Sequence, residues 1–339
     1  MRSTEVVMTG PGGPEVLATR ERVVGEPGRG RVLVRTEAAG IAFAEVQMLR
    51  GRYLGQPRFP FVPGYDLVGR VVAVGAGVDG ALLGRRVAAM TRFGAWAEVV
   101  EVPARRLAPV PEDVDAGDAV ALVTNGVTAW QMVHRVARVQ AGHTVLVQGA
   151  SGGVGTLLAQ LARSAGARVI GTASAGKHDV LRDLGAEPVD YRNADVASAV
   201  RRLAPSGLDA VFDHVGGPGL RSLWPLLRRG GTLVSYGSES TLEDDSHPLL
   251  PYLPLAGRVL TWALLPNGRR ARLYYVRPTA TFRSDLAEVI ALFRDGKLDA
   301  RVAHRLPLDR AAEALGLLVG GGVAGKVVLQ ARAGADNAS

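Results

Sequence analysis

A glycine-rich turn between two apolar runs constrains the fold of this chain more than any other feature. Residues 145–177 read VLVQGASGGVGTLLAQLARSAGARVIGTASAGK: β-branched residues lead into the turn and an apolar-periodic helix leads out of it. A strand, a glycine turn, a helix and a second strand make one βαβ unit, in which the helix N-terminus can bind a phosphate. The segment therefore predicts a dinucleotide-binding site at one edge of a parallel sheet.

Strands and helices continue to alternate after this unit. Strands are predicted at 143–150, 167–174, 188–191, 208–216 and 232–238, and helices at 155–166, 177–186, 195–204 and 219–231. This rhythm is typical of a doubly wound parallel sheet. Apolar spacing also predicts helices at 114–139 and 284–298, and a final strand at 324–330.

The first 120 residues follow a different pattern. Segments such as RVLVRTEAAGI and DLVGRVVAVGAG cluster β-branched residues, with Gly and Pro between them. Short strands of this kind favour a compact barrel or sandwich. A chain of 339 residues also exceeds the usual size of a single core, so we expect an α/β protein of two domains.

Composition excludes several classes of function. The net charge of +8 suggests nucleic acid, but the basic residues are dispersed and lysine occurs only at 177, 297 and 326. Cysteine is absent, which excludes disulfides, thiol catalysis and cysteine-containing metal sites. No apolar run is long enough for a signal peptide or a membrane span. We therefore expect a cytoplasmic protein without a nucleic-acid or membrane partner.

Five residues of the turn are candidate cofactor ligands. Gly152 would let the backbone approach a pyrophosphate, and Gly155 would let the helix pack on the strand. The amides of Gly153 and Val154, which follow Ser151 and Gly152 in the turn, would face the phosphates. The alternative is a strand-to-helix turn that binds no ligand.

The end of the second strand indicates which nicotinamide cofactor is bound. NAD-preferring sites usually place an acid there for the ribose 2′-hydroxyl, but this chain has Ser174 and then Lys177. A hydroxyl and an ammonium group suit a 2′-phosphate. The prediction is therefore NADPH rather than NADH, the alternative for Lys177 being a solvated residue at a helix start.

Seven motifs resemble one known family in their order and spacing. They are GIAFAEVQMLRGRY (40–53), PFVPGYDLVGRVVAVG (60–75), VTNGVTAWQM (123–132), the glycine turn, LGAEPVDY (184–191), FDHVGG (212–217) and GGTLVSYG (230–237). The chain resembles the zinc-independent quinone reductase branch of the medium-chain dehydrogenase/reductase superfamily. The resemblance implies a GroES-like catalytic domain from residues 1–121 and 269–339, a Rossmann domain from 122–268, and a homodimer.

Departures from the zinc-dependent branch argue against a metal. Zinc alcohol dehydrogenases, which are similar around 40–45, have a metal-binding cysteine where this chain has Ala42. They have Gly-His-Glu where this chain has Gly64, Tyr65 and Asp66. Alanine and tyrosine do not make a tetrahedral zinc site, so no metal is expected, and each of the six histidines is interpreted as a surface or core residue.

The resemblance also implies roles for individual residues. Tyr53 matches a tyrosine beside the nicotinamide and is a candidate catalytic hydrogen-bond or proton donor. Asn125 is a second candidate that would donate to substrate, although a helix-entry turn explains it equally well. Thr128 matches a residue at the nicotinamide end of the cofactor, Tyr191 one near the adenosine phosphate, and Gly237 is expected at the cofactor.

These features predict hydride transfer from NADPH to a quinone or an α,β-unsaturated carbonyl compound, an enone. Related quinone reductases usually have asparagine where this chain has Ala42, and some have tyrosine at the position of Gln47. Reduction of an enoyl thioester, with Arg50, Arg52 or Arg58 near its phosphate, therefore remains an alternative. Another is a non-catalytic NADPH-binding protein with affinity for RNA or membranes.

Overall fold

The computed structural model describes residues 1–243, 250 and 252–331. The chain forms two compact units. Unit 1 contains Met1–Val127, Arg277–Gly296 and Ala300–Ser339, and unit 2 contains Thr128–Val276 and Lys297–Asp299. The first division falls inside the helical run 116–137, close to the predicted boundary at 121.

The secondary structure is numbered in chain order. The strands are β1 (Arg2–Met8), β2 (Leu17–Val23), β3 (Arg31–Ile41), β4 (Asp66–Val74), β5 (Arg86–Met90), β6 (Val99–Pro103), β7 (Ala108–Pro109), β8 (Thr144–Val147), β9 (Arg168–Ala173), β10 (Glu187–Asp190), β11 (Leu208–Asp213), β12 (Leu227–Ser235), β13 (Arg270–Leu273), β14 (Val302–Pro307) and β15 (Lys326–Gln330). The α-helices are α1 (Phe43–Leu49), α2 (Ala116–Ala121), α3 (Val127–Trp130), α4 (Gly153–Ser164), α5 (His178–Asp183), α6 (Val196–Leu203), α7 (Leu220–Leu223), α8 (Tyr252–Leu264), α9 (Ala280–Arg294) and α10 (Ala311–Val319).

Unit 1 is built around a seven-stranded sheet in which β3 is central. The strand order is β14-β15-β3-β4-β5-β7, with β6 also paired to β3, while β1 and β2 form a separate antiparallel pair. β3 is long and largely buried, so it pairs with β4, β6 and β15 at different points along its length. The C-terminal strand β15 thereby completes the β-rich domain that begins the chain.

Unit 2 contains a six-stranded sheet with the order β10-β9-β8-β11-β12-β13. Every pair in it is parallel. Continuous apolar runs such as TVLV in β8 suit strands that are buried on both faces. The order reverses between β8 and β11, where doubly wound sheets bind their ligands. The predicted fold class, a β-rich domain plus a doubly wound domain, is confirmed.

Two local predictions were wrong or incomplete. The helix predicted at 219–231 ends at Leu223, a 3₁₀ turn spans Trp224–Leu226, and β12 starts at Leu227. Pro225 lies inside that turn. Because proline has no N–H to donate, the α-helix does not continue through it. α8 and β13 were not predicted. In α8, YLPLAGRVLTWAL, leucines lie on the exposed side as well as on the buried side, so polar residues do not mark the solvent face. In the described ranges, no helix combines the length and apolarity needed to cross a bilayer.

Unit 1 also buries three ionisable groups near Gly40. Glu45 and Asp66 are 0% exposed and Lys326 is 2% exposed. A Cβ on Gly40 would lie 2.2 Å from Asp66 Oδ1 and 2.8 Å from Lys326 Nζ, so only glycine leaves room for them. The Ala42 N–H donates to the Glu45 carboxylate at 2.8 Å, at the N-terminus of α1.

Burial raises the pKa of Glu45 to about 7, and the Asp66 carboxylate adds to the rise, while the Ala42 N–H and Lys326 oppose it. The folded chain therefore holds a proton on Glu45 at pH values where the unfolded chain has released it. This contribution to stability is complete below pH 4.5, the ordinary value, and is lost as the pH rises through about 7.

We predict that Glu45→Gln removes this pH dependence, because the amide stays neutral and its oxygen can still accept from Ala42. Between pH 4.5 and about 8, the wild-type free energy of unfolding should fall by up to about 3 kcal/mol relative to the variant. Urea denaturation at a series of pH values measures the difference. Glu21→Gln, at a largely exposed carboxylate, should track the wild type, and parallel curves for wild type and Glu45→Gln would contradict the prediction.

Candidate functional site

The glycine turn joins β8 to α4 in unit 2. Gly152 is the N-cap of α4 and has no side chain, so the first amides of the helix lack the usual capping oxygen. A Cβ on Gly152 would meet only the Gly149 carbonyl, at 3.4 Å, whereas a Cβ on Gly155 would lie 2.2 Å from the same oxygen. Gly155 therefore allows close packing, and the open amides of Gly153 and Val154 offer donors to an anion.

The β9–β10 pair brings three of the predicted residues to the same edge. Ala173 of β9 pairs with Asp190 of β10, so the next residues, Ser174 and Tyr191, leave the sheet side by side. The Lys177 N–H donates to the Ser174 carbonyl at 2.9 Å. This bond closes a tight turn that keeps Lys177 close to the end of β9. Tyr191 is 51% exposed at this edge.

Arg192 adds a second positive charge to this edge and was missed in the sequence. Burial lowers the pKa of Lys177, and the neighbouring Arg192 guanidinium lowers it further by repulsion. Arg192 also lies over the Tyr191 ring, with its guanidinium carbon 5.8 Å from the ring centroid. Two cations held close together with a serine form a site suited to a phosphate.

A buried carboxylate shapes the exit from β11. Asp213 is 0% exposed and accepts N–H bonds from Gly216 at 3.1 Å and Val215 at 3.2 Å. The Gln148 side-chain amide also donates to it. Burial raises the pKa of Asp213 to about 6, against the stabilising effect of these donors. The carboxylate thereby holds the loop beside the glycine turn.

Gly237 lies at the same edge, two residues beyond β12. A Cβ there would lie 2.5 Å from the His214 carbonyl oxygen, so glycine permits the chain to pass close to the end of β11. Ser151, in the glycine turn of the same unit, is also buried. The structure thus gives Gly237 a packing reason in addition to its predicted place at the cofactor.

Tyr53 belongs to unit 1 and is buried there. Its hydroxyl lies 2.8 Å from the hydroxyl of Tyr65, with the two rings edge to face. The Arg92 guanidinium carbon lies 5.5 Å from the Tyr53 ring centroid. Tyr65, considered in the sequence only as a missing metal ligand, is therefore a hydrogen-bond partner of the leading candidate donor.

Asn125 and Thr128 are three residues apart in one continuous helical stretch, and both are buried. The preceding N–H, that of Thr124, donates to the buried Asp66 carboxylate at 3.1 Å. This bond ties the stretch that carries Asn125 to the start of β4 within unit 1. Thr128 is the first residue of unit 2.

The predicted site residues thus fall into two groups. Unit 2 brings together, at the carboxyl edge of one parallel sheet, Ser151, Gly152, Gly153, Val154, Gly155, Ser174, Lys177, Tyr191 and Gly237. Tyr53 and Asn125 lie in unit 1, and Thr128 begins unit 2 in the helical stretch before β8. Among the residues with described positions, no three of the His, Cys, Asp and Glu type cluster as they would around a metal ion.

Comparisons with known proteins agree with this layout. Residues 28–112 match the family described as alcohol dehydrogenase GroES-like domain, and residues 184–329 match the family described as zinc-binding dehydrogenase. A probable quinone oxidoreductase of Schizosaccharomyces pombe is 30% identical over 328 residues, which cover 96% of this chain and 95% of that protein.

Two further relatives resemble the chain over most of its length. The synaptic vesicle membrane protein VAT-1 homolog of Rattus norvegicus is 33% identical over 91% of this chain and 80% of that protein. The solved structure of mycobacterial Rv1454c complexed with NADPH is 32% identical, with a TM-score of 0.79 over 97% of this chain and 99% of that one. On its two domains and these relatives, the chain belongs to the zinc-independent, quinone reductase-like branch of the medium-chain dehydrogenase/reductase superfamily.

Proposed function

We propose that the protein is an NADPH-dependent reductase of quinones or enones. The observation that carries the proposal is the paired positive charge of Lys177 and Arg192 at the end of β9 and β10, beside Ser174. An acid there would bind the ribose 2′-hydroxyl of NAD, whereas this group suits a 2′-phosphate. The similarity to a mycobacterial protein complexed with NADPH supports the same cofactor.

The residues of unit 2 fit a dinucleotide. The open amides of Gly153 and Val154 would bind the pyrophosphate at the N-terminus of α4. Ser174, Lys177 and Arg192 would bind the 2′-phosphate, with Tyr191 packed under the guanidinium. When bound, NADPH supplies a hydride to a carbon made electrophilic by conjugation.

The task left to unit 1 is to stabilise the negative charge that develops on the substrate oxygen. The Tyr53 hydroxyl would donate a hydrogen bond or a proton to that oxygen, while Tyr65 supports it from 2.8 Å away. Asn125 remains a second proposed donor. Of the three arginines considered for the phosphate of an enoyl thioester, Arg52 is buried, whereas Arg50 and Arg58 are exposed, so an enoyl thioester stays the alternative substrate.

We predict that Lys177→Ala and Arg192→Ala each weaken NADPH binding about tenfold, because a lost phosphate bond to a cation costs about 1.5 kcal/mol. NADH, which has no 2′-phosphate, should bind each variant nearly as it binds the wild type. Parallel fluorescence titrations with both cofactors measure the ratio. Lys297→Ala, at an exposed lysine, is the control, and equal losses for NADPH and NADH would refute the phosphate site.

For Tyr53→Phe, we predict a kcat reduced about 100-fold, within the range expected for a general acid, with NADPH affinity unchanged. The assay follows nicotinamide absorbance with a panel of quinones and enones. Phe59→Leu, at an aromatic side chain that packs on Phe61 and has no hydroxyl, should keep its kcat. Full turnover by Tyr53→Phe would remove this tyrosine from the mechanism.

We also propose that two copies associate through unit 2. β13 is an edge strand that pairs only with β12 among the described residues, and α8 packs against it. Large apolar side chains remain exposed on these two elements, among them Leu260 at 58%, Leu264 at 85% and Leu273 at 49%. An apolar patch beside an unpaired edge is suited to a symmetric interface.

Accordingly, the double variant Leu260→Glu/Leu264→Glu should sediment as a monomer of 35.6 kDa, while the wild type sediments at twice that mass. Two carboxylates facing their symmetry mates in an apolar interface would repel and lose hydration. Leu83→Glu changes a leucine of unit 1 that is 57% exposed, and it should stay dimeric. A monomeric wild type would refute this interface.

A further inference from the structure

An ion pair that the predicted mechanism does not use lies at the edge of the unit 2 sheet. His214 Nε2 is 2.9 Å from Glu239 Oε2, with the imidazole a quarter exposed and the carboxylate half-exposed. His214 directly follows β11, and Glu239 follows Gly237 after β12. The Glu239 N–H donates to the His214 carbonyl at 3.1 Å, so the two residues are joined through backbone and side chain.

The imidazole also packs on the start of the glycine turn. Gly149 adopts a φ of +60°, and a Cβ on it would lie 2.2 Å from His214 Cε1. The ring therefore lies against the backbone just before the turn that is proposed to bind the pyrophosphate. The Tyr236 ring is a second neighbour, with its centroid 6.1 Å from that of His214. His214 is thus packed against both the turn and Tyr236.

The position of the pair along the sheet indicates which part of a dinucleotide it faces. The cationic group at the ends of β9 and β10 lies on one side of β8, and the ends of β11 and β12 lie on the other. With the pyrophosphate at the turn after β8, the adenosine half extends towards Lys177 and the nicotinamide half extends towards His214 and Glu239. In this fold a carboxylate at a strand end accepts a hydrogen bond from the adenosine ribose, and a carboxylate beside the other ribose can accept from its hydroxyls by the same chemistry.

From this placement we infer that Glu239 binds the hydroxyls of the nicotinamide-side ribose and that His214 is the residue that positions it. The inference rests on the proposed cofactor function. Among the described residues the Glu239 carboxylate has one hydrogen-bond partner, His214, which leaves its other oxygen for a ligand. The chain lacks an acid at the adenosine ribose and carries one at the opposite ribose.

The electrostatics of the pair agree with this geometry. Burial disfavours the charged imidazole, but Glu239, with smaller contributions from the Asp213 carboxylate and the Gln148 backbone, holds the pKa of His214 above its ordinary value. The hydrogen bond from His214 in turn lowers the pKa of Glu239 despite its partial burial. The carboxylate is therefore ionised at neutral pH and able to accept from a hydroxyl.

The test compares NADPH with adenosine 2′,5′-bisphosphate, which contains the 2′-phosphate but lacks the nicotinamide half. Glu239→Gln and His214→Asn should each raise the Kd of NADPH about tenfold. Both variants should bind the bisphosphate as the wild type does. His143→Asn is the matched control, because His143 also lies near a carboxylate, Asp209 at 3.7 Å, but before β8 at the amino end of the strands.

A double-mutant cycle separates positioning from direct binding. If His214 acts through Glu239, His214→Asn should weaken NADPH little further in the Glu239→Gln background. Fully additive losses would overturn the positioning role, and a Kd of NADPH unchanged in Glu239→Gln would overturn the ribose site. If wild type binds the bisphosphate but the variants lose both ligands equally, the inference fails while the cofactor proposal stands. If wild type binds neither ligand, both fail.

Discussion

The parallel direction of the six strands in unit 2 is the constraint on which the candidate cofactor site depends. Because all strands end at the same edge, the glycine turn, Ser174, Tyr191, His214 and Gly237 lie along one line although up to 86 residues separate them in the chain. The common direction of the strands is enough to bring these residues to one edge of the sheet. The reversal of strand order between β8 and β11 divides the edge into two halves.

Charge differs between these halves. The half beside β9 and β10 carries Lys177 and Arg192, which repel each other, so an anion bound between them would relieve that repulsion. The half beside β11 and β12 carries an ionised acid, Glu239, paired with His214. A ligand that is most anionic at one end and rich in hydroxyls at the other matches this distribution. NADPH has this polarity, with its additional phosphate on the adenosine side.

Features that depend on neighbouring residues in the chain could be predicted from the sequence. Features that depend on strand pairing or on contacts between distant residues could not. The glycine turn, the alternating strands and Lys177 each follow from neighbouring residues. Arg192 follows Tyr191 directly in the chain, but its closeness to Lys177 depends on the pairing of β9 with β10, and the role of Tyr65 depends on its contact with Tyr53. The helix α8 was not predicted because its buried and exposed faces both carry apolar residues.

The pairing of β15 with β3 has a consequence for the order of folding during synthesis. Residues 327–330 hydrogen-bond to 38–41, and Lys326 and Asp66 both lie beside Gly40. The ribosome must therefore translate β15 before the larger sheet of unit 1 can close. Unit 2, whose sheet is built from the continuous segment 128–276, has its six strands available earlier. The β-rich domain, whose first strands emerge first, therefore cannot complete its sheet until β15 has been made, after all six strands of the parallel sheet.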